Sequence, residues 1–290
     1  MKFRIELASE SKLTQIVNFL SQEEKSCITL MSRFVQKGKI TFLQKHIKGY
    51  SIYFGEDLVG FMAISDGGII LHHFDKKIFQ NPSLDKLKKL IFPILDCHTI
   101  YSIVGDFQGT DFLREIIQDV KKPKIQIPYI LMKYENSGKI KNQELPSGFS
   151  LKKCNKDDTD FLYPLQASYD IVEVIPPGED FDADSCRLNL RHNLGTQYIL
   201  GIVNEDNKRF VAKAGTNAIG LNWVQLGGVF TKDEFRGKGF ATYMTQKLAK
   251  IMLEKQKNVA LFVKEANIPA QKAYLKAGFV PVSRFCICYY

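Results

Sequence analysis

Long apolar runs are missing from this 290-residue chain; the longest uninterrupted ones are strand-sized, too short to cross a bilayer. The opening Met1-Lys2-Phe3-Arg4-Ile5-Glu6-Leu7 alternates polar and apolar residues where an export leader would have an apolar block, so neither export nor a membrane partner is expected. Cysteines never pair at the CxxC spacing of zinc sites. The six present, Cys27, Cys97, Cys154, Cys186, Cys286 and Cys288, are scattered through a chain large enough to build a core without disulfide staples. A reducing cytoplasm is the expected location, and no metal is expected. His72 and His73 would point to opposite faces of a strand and so could not share an ion. Cys286 and Cys288 alternate along a strand and read as sheet packing. Concentrated positive charge is also absent. The net +9 is spread thinly, and Lys86-Leu87-Lys88-Lys89 and Lys121-Lys122-Pro123-Lys124 have no aromatic ladder beside them. They read as solvated surface, which argues against a nucleic-acid partner; the same field suits a polyanionic cofactor.

What is present is an ordinary globular composition, 45% hydrophobic and 24% charged, in a chain long enough for two cores. The first half reads as mixed α/β, with a strand at Phe3–Leu7, a helix from Ser9 or Ser11 to Leu20 and strands at Ser51–Phe54 and Leu58–Ser65 around Gly55-Glu56-Asp57. After Asp66-Gly67-Gly68 come a strand at Ile69–Phe74, a helix at Leu84–Leu90, a strand at Thr99–Val104 and a helix at Asp111–Val120. Glu135–Gly148, with Asn136-Ser137-Gly138 and Pro146-Ser147-Gly148, is polar and turn-rich, and places a boundary between domains 1–140 and 146–290. The second half repeats the order. A strand at Phe149–Lys152 precedes a helix at Asp158–Val174, halted by Pro176-Pro177-Gly178, and a helix at Phe181–Leu194 that stops at Gly195. Strands follow at Gln197–Val203, Phe210–Thr216 and Trp223–Phe230, then a helix at Gly239–Lys255, a strand at Val259–Lys264, a helix at Pro269–Ala277 and one long final strand, Val280–Tyr290. Two halves of one order suggest a pseudo-duplicated protein.

The sharpest feature is Val229-Phe230-Thr231-Lys232-Asp233-Glu234-Phe235-Arg236-Gly237-Lys238-Gly239-Phe240-Ala241, a strand passing through a basic glycine turn into a helix. Phe240, Met244, Leu248 and Met252 recur every four residues, which gives that helix one buried stripe and fixes its start. Without Cβ atoms, Gly237 and Gly239 let phosphate oxygens approach the backbone. The free N–H groups of the first helical turn would then act as anion donors, with Arg236 and Lys238 adding charge. Taken alone, the same residues also suit a basic surface turn capping an unremarkable helix.

The stretch resembles the cofactor motif of the GNAT acyltransferase superfamily: Arg or Gln, two residues, Gly, one residue, then Gly or Ala. A second match follows about 30 residues on, in Leu261-Phe262-Val263, Asn267, Ala270, Tyr274 and Gly278-Phe279. The resemblance covers about 145 residues, half the chain. It implies two α/β GNAT-like halves with mixed sheets, the first degenerate, since no Arg/Gln-x-x-Gly-x-Gly/Ala occurs there. It also implies acetyl-CoA as cosubstrate without a metal. Arg236, Gly237, Lys238, Gly239, Phe240, Ala241 and Thr242 would hold its pyrophosphate, Val229, Phe230 and Thr231 its pantetheine arm, and Asn267 would cap a helix and touch that arm. The implied activity is transfer of the acetyl group to a small-molecule or peptide amine by direct attack in a ternary complex, in a monomer or homodimer. A non-catalytic acyl-CoA sensor is the alternative.

Transfer from a thioester to an amine needs a proton acceptor for the amine and ideally an acid for the departing thiolate. Tyr274 is the candidate acid, because a phenol stays protonated at neutral pH. Glu173, four residues after Tyr169 and so on the same helix face, is the candidate base; Gln225 and Asn222, read as lying on the central strand, are alternatives that could orient a water. Only eleven residues follow Phe279, which is why one strand is expected where the superfamily has two. The acceptor itself carries no signature, since amine selectivity resides in loops such as Ile175–Asp184 and in the first half.

Overall fold

A computed structural model of the chain describes residues 1–135, 143–176 and 178–290. The turn Asn136-Ser137-Gly138 and the helix-halting Pro177 lie outside the described residues. The chain forms two compact units. One comprises Met1–Leu131, Ile219–Trp223 and Ser283–Tyr290, the other Met132–Ala218 and Val224–Val282.

The first unit contains β1 (Phe3–Leu7), α1 (Leu13–Gln22), α2 (Ile28–Met31) and a short hairpin of β2 (Val35–Gln36) and β3 (Lys39–Ile40). It continues with β4 (Ile47–Phe54), β5 (Asp57–Ser65), β6 (Ile69–Phe74), α3 (Leu84–Asp96), β7 (Ser102–Asp106), α4 (Phe107–Ile117) and the beginning of β8 (Ile125–Tyr134). Its sheet runs β1-β4-β5-β6-β7, antiparallel except for the β6–β7 pair. The β4–β5 turn closes on Gly55, whose φ of 65° favours glycine, with Phe54 opposite Asp57. Along β5, Met62 and Ile64 enter the core shared with α3 and α4, while Phe61 and Ala63 enter the core shared with α1 and α2. Both faces of the strand are therefore covered, and it reads as a nearly unbroken apolar run. Each large side chain so buried contributes roughly 1.5–3 kcal/mol.

The second unit repeats the sequence of elements: β9 (Phe149–Lys153), α5 (Thr159–Tyr169), α6 (Ala183–Thr196), β10 (Ile199–Asn204), β11 (Phe210–Ile219) and β12 (Trp223–Thr231). Then come α7 (Phe240–Glu254), β13 (Asn258–Lys264), α8 (Ile268–Ala277) and the start of β14 (Phe279–Tyr289). Its strands run β13-β12-β11-β10-β9. The final strand is one continuous element, as expected. Near its beginning Gly278 accepts from the Glu135 N–H at 2.9 Å, and in the first unit its last residues pair with β7, Phe285 opposite Asp106.

Several elements differ from the sequence reading: α2, β2 and β3 were not anticipated, β4 begins at Ile47, and α3 runs through Pro93 to Asp96. β8 was not anticipated, because Pro128 interrupts its apolar pattern and removes an amide donor. α4 begins at Phe107, where Asp106 caps the Gly109 N–H at 3.0 Å, four residues before the expected start. α6 continues through Gly195, where a Cβ would lie 2.3 Å from Lys156 Cε; the glycine makes room there and does not end the helix. The helix expected to run to Val174 is α-helical only to Tyr169 and passes into a π-helical turn, Asp170–Val174.

Candidate active site

β12 leads through a 3₁₀ turn, Asp233–Phe235, to Gly237 and Gly239, with φ of 78° and 82°, and then into α7. Both glycines occupy the left-handed region, where a side chain is strained. Among the described residues, a Cβ on Gly237 would meet nothing within 4 Å, and one on Gly239 only Gln143 Oε1 at 3.7 Å. Among the described residues no acceptor engages the amide N–H of Gly237, Lys238, Gly239, Phe240, Ala241 or Thr242; the first bond in this stretch is Tyr243 N–H to Gly239 O at 2.9 Å. Six donors thus gather at the positive end of a fifteen-residue helix. Lys238 lies over the rings of Phe235 and Phe149, 5.1 and 5.5 Å from their centroids, and Arg236 pairs with Asp233 at 2.7 Å. Phe240 is buried against Phe149, and the Thr242 hydroxyl donates to Ala273 O at 3.2 Å. What these two residues offer an anion is therefore backbone. Phe230 likewise turns its ring into the core beside Tyr169.

A second group gathers around α8. Asn267 caps the helix, its Oδ1 accepting from Ala270 N–H at 3.1 Å, while its Nδ2 donates to Glu173 Oε1 at 3.4 Å. Lys264 approaches the other oxygen of the same carboxylate at 3.0 Å. Glu173 sits on the π-helical turn, flanked by the exposed apolar residues Ile171, Val172 and Val174. Tyr274 is buried, and desolvation, aided by Tyr169 and Glu173, raises its pKa, so the phenol keeps its proton throughout the neutral range. The candidate acid and base thus share one neighbourhood of the second unit, where Glu173 and Tyr169 both act on the Tyr274 phenol.

Of the alternatives for orienting a water, Gln225 is buried on β12, but Asn222 is not on a strand. It lies in the turn before β12 and belongs to the first unit, where its backbone N–H (2.9 and 3.0 Å) and Nδ2 (3.1 Å) donate to the buried carboxylate of Glu24. Trp223 N–H donates to Glu24 as well, at 3.1 Å. Asn222 is therefore a structural residue.

Lys213 escaped the sequence reading. It sits on β11 with 4% of its surface exposed, and its Nζ donates to Gly228 O at 3.0 Å and lies 4.3 Å from the centroid of the Tyr169 ring. Desolvation lowers its pKa to about 8. No local pattern marks it, since it is one lysine in an apolar strand.

In the first unit, His72 and His73 are both buried. His72 Nε2 bonds Thr110 Oγ1 at 2.9 Å, and its ring occupies the space that a Cβ on Gly105 or Gly109 would need. Burial lowers its pKa to about 4. Among the described residues no three His, Cys, Asp or Glu side chains are grouped to hold a metal ion, and no helix is long and apolar enough to cross a membrane. Cys286 and Cys288 are packed in the core of the first unit.

The family profile described as FR47-like protein matches residues 199–286, which include both motifs. The architecture recurs in solved structures. A tandem GNAT protein from the clavulanic acid biosynthesis pathway, described as without AcCoA, has a TM-score of 0.61 at 11% identity over 100% of this chain and 98% of its own. A GCN5-related N-acetyltransferase from Sphaerobacter thermophilus has a TM-score of 0.61 at 13% identity, covering 99% and 95%. An acetyltransferase from the GNAT family from Colwellia psychrerythraea has a TM-score of 0.56 at 15% identity, covering 99% of each chain. No curated protein matches the chain. The fold is the tandem GNAT fold, two copies of one element order with the glycine turn in the second.

Proposed function

We propose that the second unit of this tandem GNAT fold is an N-acetyltransferase that takes its acetyl group from acetyl-CoA and passes it to a primary amine. The observation that carries this reading is the row of amides from Gly237 to Thr242, unengaged among the described residues, opened by two left-handed glycines and carrying the charges of Arg236 and Lys238. This donor set suits a diphosphate, because several N–H groups converge at a helix N-terminus without a side chain to fill the space. Bound acetyl-CoA supplies an activated acyl carbon and a thiolate leaving group. Residues Val229–Thr231 would hold the extended arm, and Asn267 would touch it as it caps α8.

Within such a complex, Tyr274, which is protonated at neutral pH, gives its phenolic proton to the departing sulfur, and the resulting phenolate regains a proton from solvent. Glu173, fixed by Lys264 and Asn267, takes the proton of the attacking amine directly or through a water. Direct attack needs no covalent enzyme adduct, only orientation. The exposed apolar residues around Glu173 would border the acceptor. Calorimetry with acetyl-CoA, followed by a free-thiol assay over polyamines, amino acids, aminoglycosides and peptide N-termini, tests the reading. Heat on binding and thiol release with one amine class are expected; no heat with acetyl-CoA overturns it.

A second reading, an acyl-CoA sensor without transfer, draws on the pairing of Glu173 with Lys264, which ties up the candidate base. It expects acetyl-CoA binding with no thiol release across the whole amine panel.

A further inference from the structure

Two unusual features meet at one hydrogen bond in the second unit. The first is the buried ammonium of Lys213, since taking a charge out of water is costly and an apolar residue would fill the same place more cheaply. The second is Gly228, which lies inside β12 yet has a φ of 60°, a conformation that strains any residue with a Cβ. Lys213 Nζ donates to the Gly228 carbonyl at 3.0 Å, and a Cβ built on Gly228 would lie 3.1 Å from that nitrogen. The C=O and N–H of a trans peptide point in opposite directions. Holding the Gly228 oxygen toward Lys213 therefore aims the N–H of Val229, the next residue, away from it.

We propose that Lys213 is a positioning residue for the acyl donor: by holding the Gly228 carbonyl it sets the direction of the Val229 N–H, and with it the strip Val229–Thr231 that receives the donor's extended arm. This inference rests on the acetyl-CoA reading given above. A charged donor makes the stronger bond, which explains why an ammonium is retained there. The groups facing it are Tyr169 at the end of α5, Asp170 on the π-helical turn, Cys186 on α6 and Cys154 after β9. Burial pushes both thiols up to about 12, so they keep their protons between pH 7 and pH 9.5 while Lys213 loses its own.

The test is calorimetry of acetyl-CoA with the full-length protein at pH 7 and pH 9.5, together with K213M and K213R. For the wild type, Kd is expected to weaken about tenfold across that range as the ammonium becomes an amine. K213M should start about tenfold weaker at pH 7 and show no such dependence, the loss of one charge-assisted hydrogen bond. Its melting temperature should equal or exceed that of the wild type, because a buried charge has gone, and K213R should recover affinity in part and remain flat with pH. In turnover, K213M should raise KM for acetyl-CoA more than it lowers kcat. A K213M protein that binds as tightly as the wild type at pH 7 overturns the proposal while leaving the acetyl-CoA reading intact; a wild type that gives no heat removes both. If K213M does not fold, a wild-type Kd that is flat between pH 7 and pH 9.5 overturns the proposal by itself.

Discussion

The same crossing from strand to helix occurs once in each unit, and the two have opposite characters. In the first, the passage from β6 to α3 satisfies itself. Asp75 caps the Lys77 N–H at 2.9 Å, Asn81 accepts from Ser83 N–H at 2.9 Å, and Leu84, Lys86 and Leu87 donate to Asn81 O and Ser83 O. In the second, the passage from β12 to α7 has glycines where the first has caps, and the amides from Gly237 to Thr242 remain without acceptors among the described residues. A second contrast lies one helix further on. Asp106 and Asn267 cap α4 and α8 in the same way, but seven residues after the cap the first unit has the buried Leu113 and the second has Tyr274. A repeated fold thus supplies the frame twice, while a few residues set the copies apart: a glycine turn in place of caps, and a buried tyrosine where the first copy has Leu113.

Placing a carboxylate where the second unit has none is the strongest way to break this comparison. Gly239→Asp should weaken acetyl-CoA binding about a thousandfold in calorimetry, since a like charge set against a diphosphate costs several kcal/mol. The next largest effect belongs to acid. His72 has a folded pKa of about 4, below the unfolded value of about 6.5, so its contribution is complete above pH 6.5 and is lost as pH falls toward 4. Denaturant titrations should show about 3 kcal/mol lost to this group over that window, and His72→Phe should remove that share of the slope, leaving the part due to buried His73, whose pKa burial also lowers. Tyr274→Phe, which makes the second unit more like the first, should lower kcat about a hundredfold with acetyl-CoA affinity unchanged; unaltered turnover would exclude the acid role. The smallest effect probes what the units share: Asn267→Ala and Asp106→Ala should each cost about 1 kcal/mol in thermal unfolding.

Much of the frame was legible because it rests on local rules. The β4–β5 turn at Gly55, the buried stripe of α7 and the basic glycine turn each follow from residues a few positions apart, and all three form as read. The misread elements have equally specific causes. Pro128 masks β8, and Gly195 looks like a helix stop although its lack of a Cβ only admits Lys156. At the site, Asn267 and Tyr274 could be named from their resemblance to the GNAT motif, but the pairing of Glu173 with Lys264 could not, since those residues are 91 positions apart.

Local sequence by itself determined most of the elements in both halves and the glycine turn, because dihedral preferences, periodicity and capping act over a handful of residues; the candidate acid followed from the resemblance to the GNAT motif. Tertiary structure alone decided that Asn222 is bound by Glu24, that Lys213 is buried beneath Gly228, and that Lys264 and Asn267 hold Glu173. Hydrogen bonds and ion pairs of that kind depend on which distant strands and helices pack together, and burial changes the protonation of groups whose sequence neighbours are ordinary.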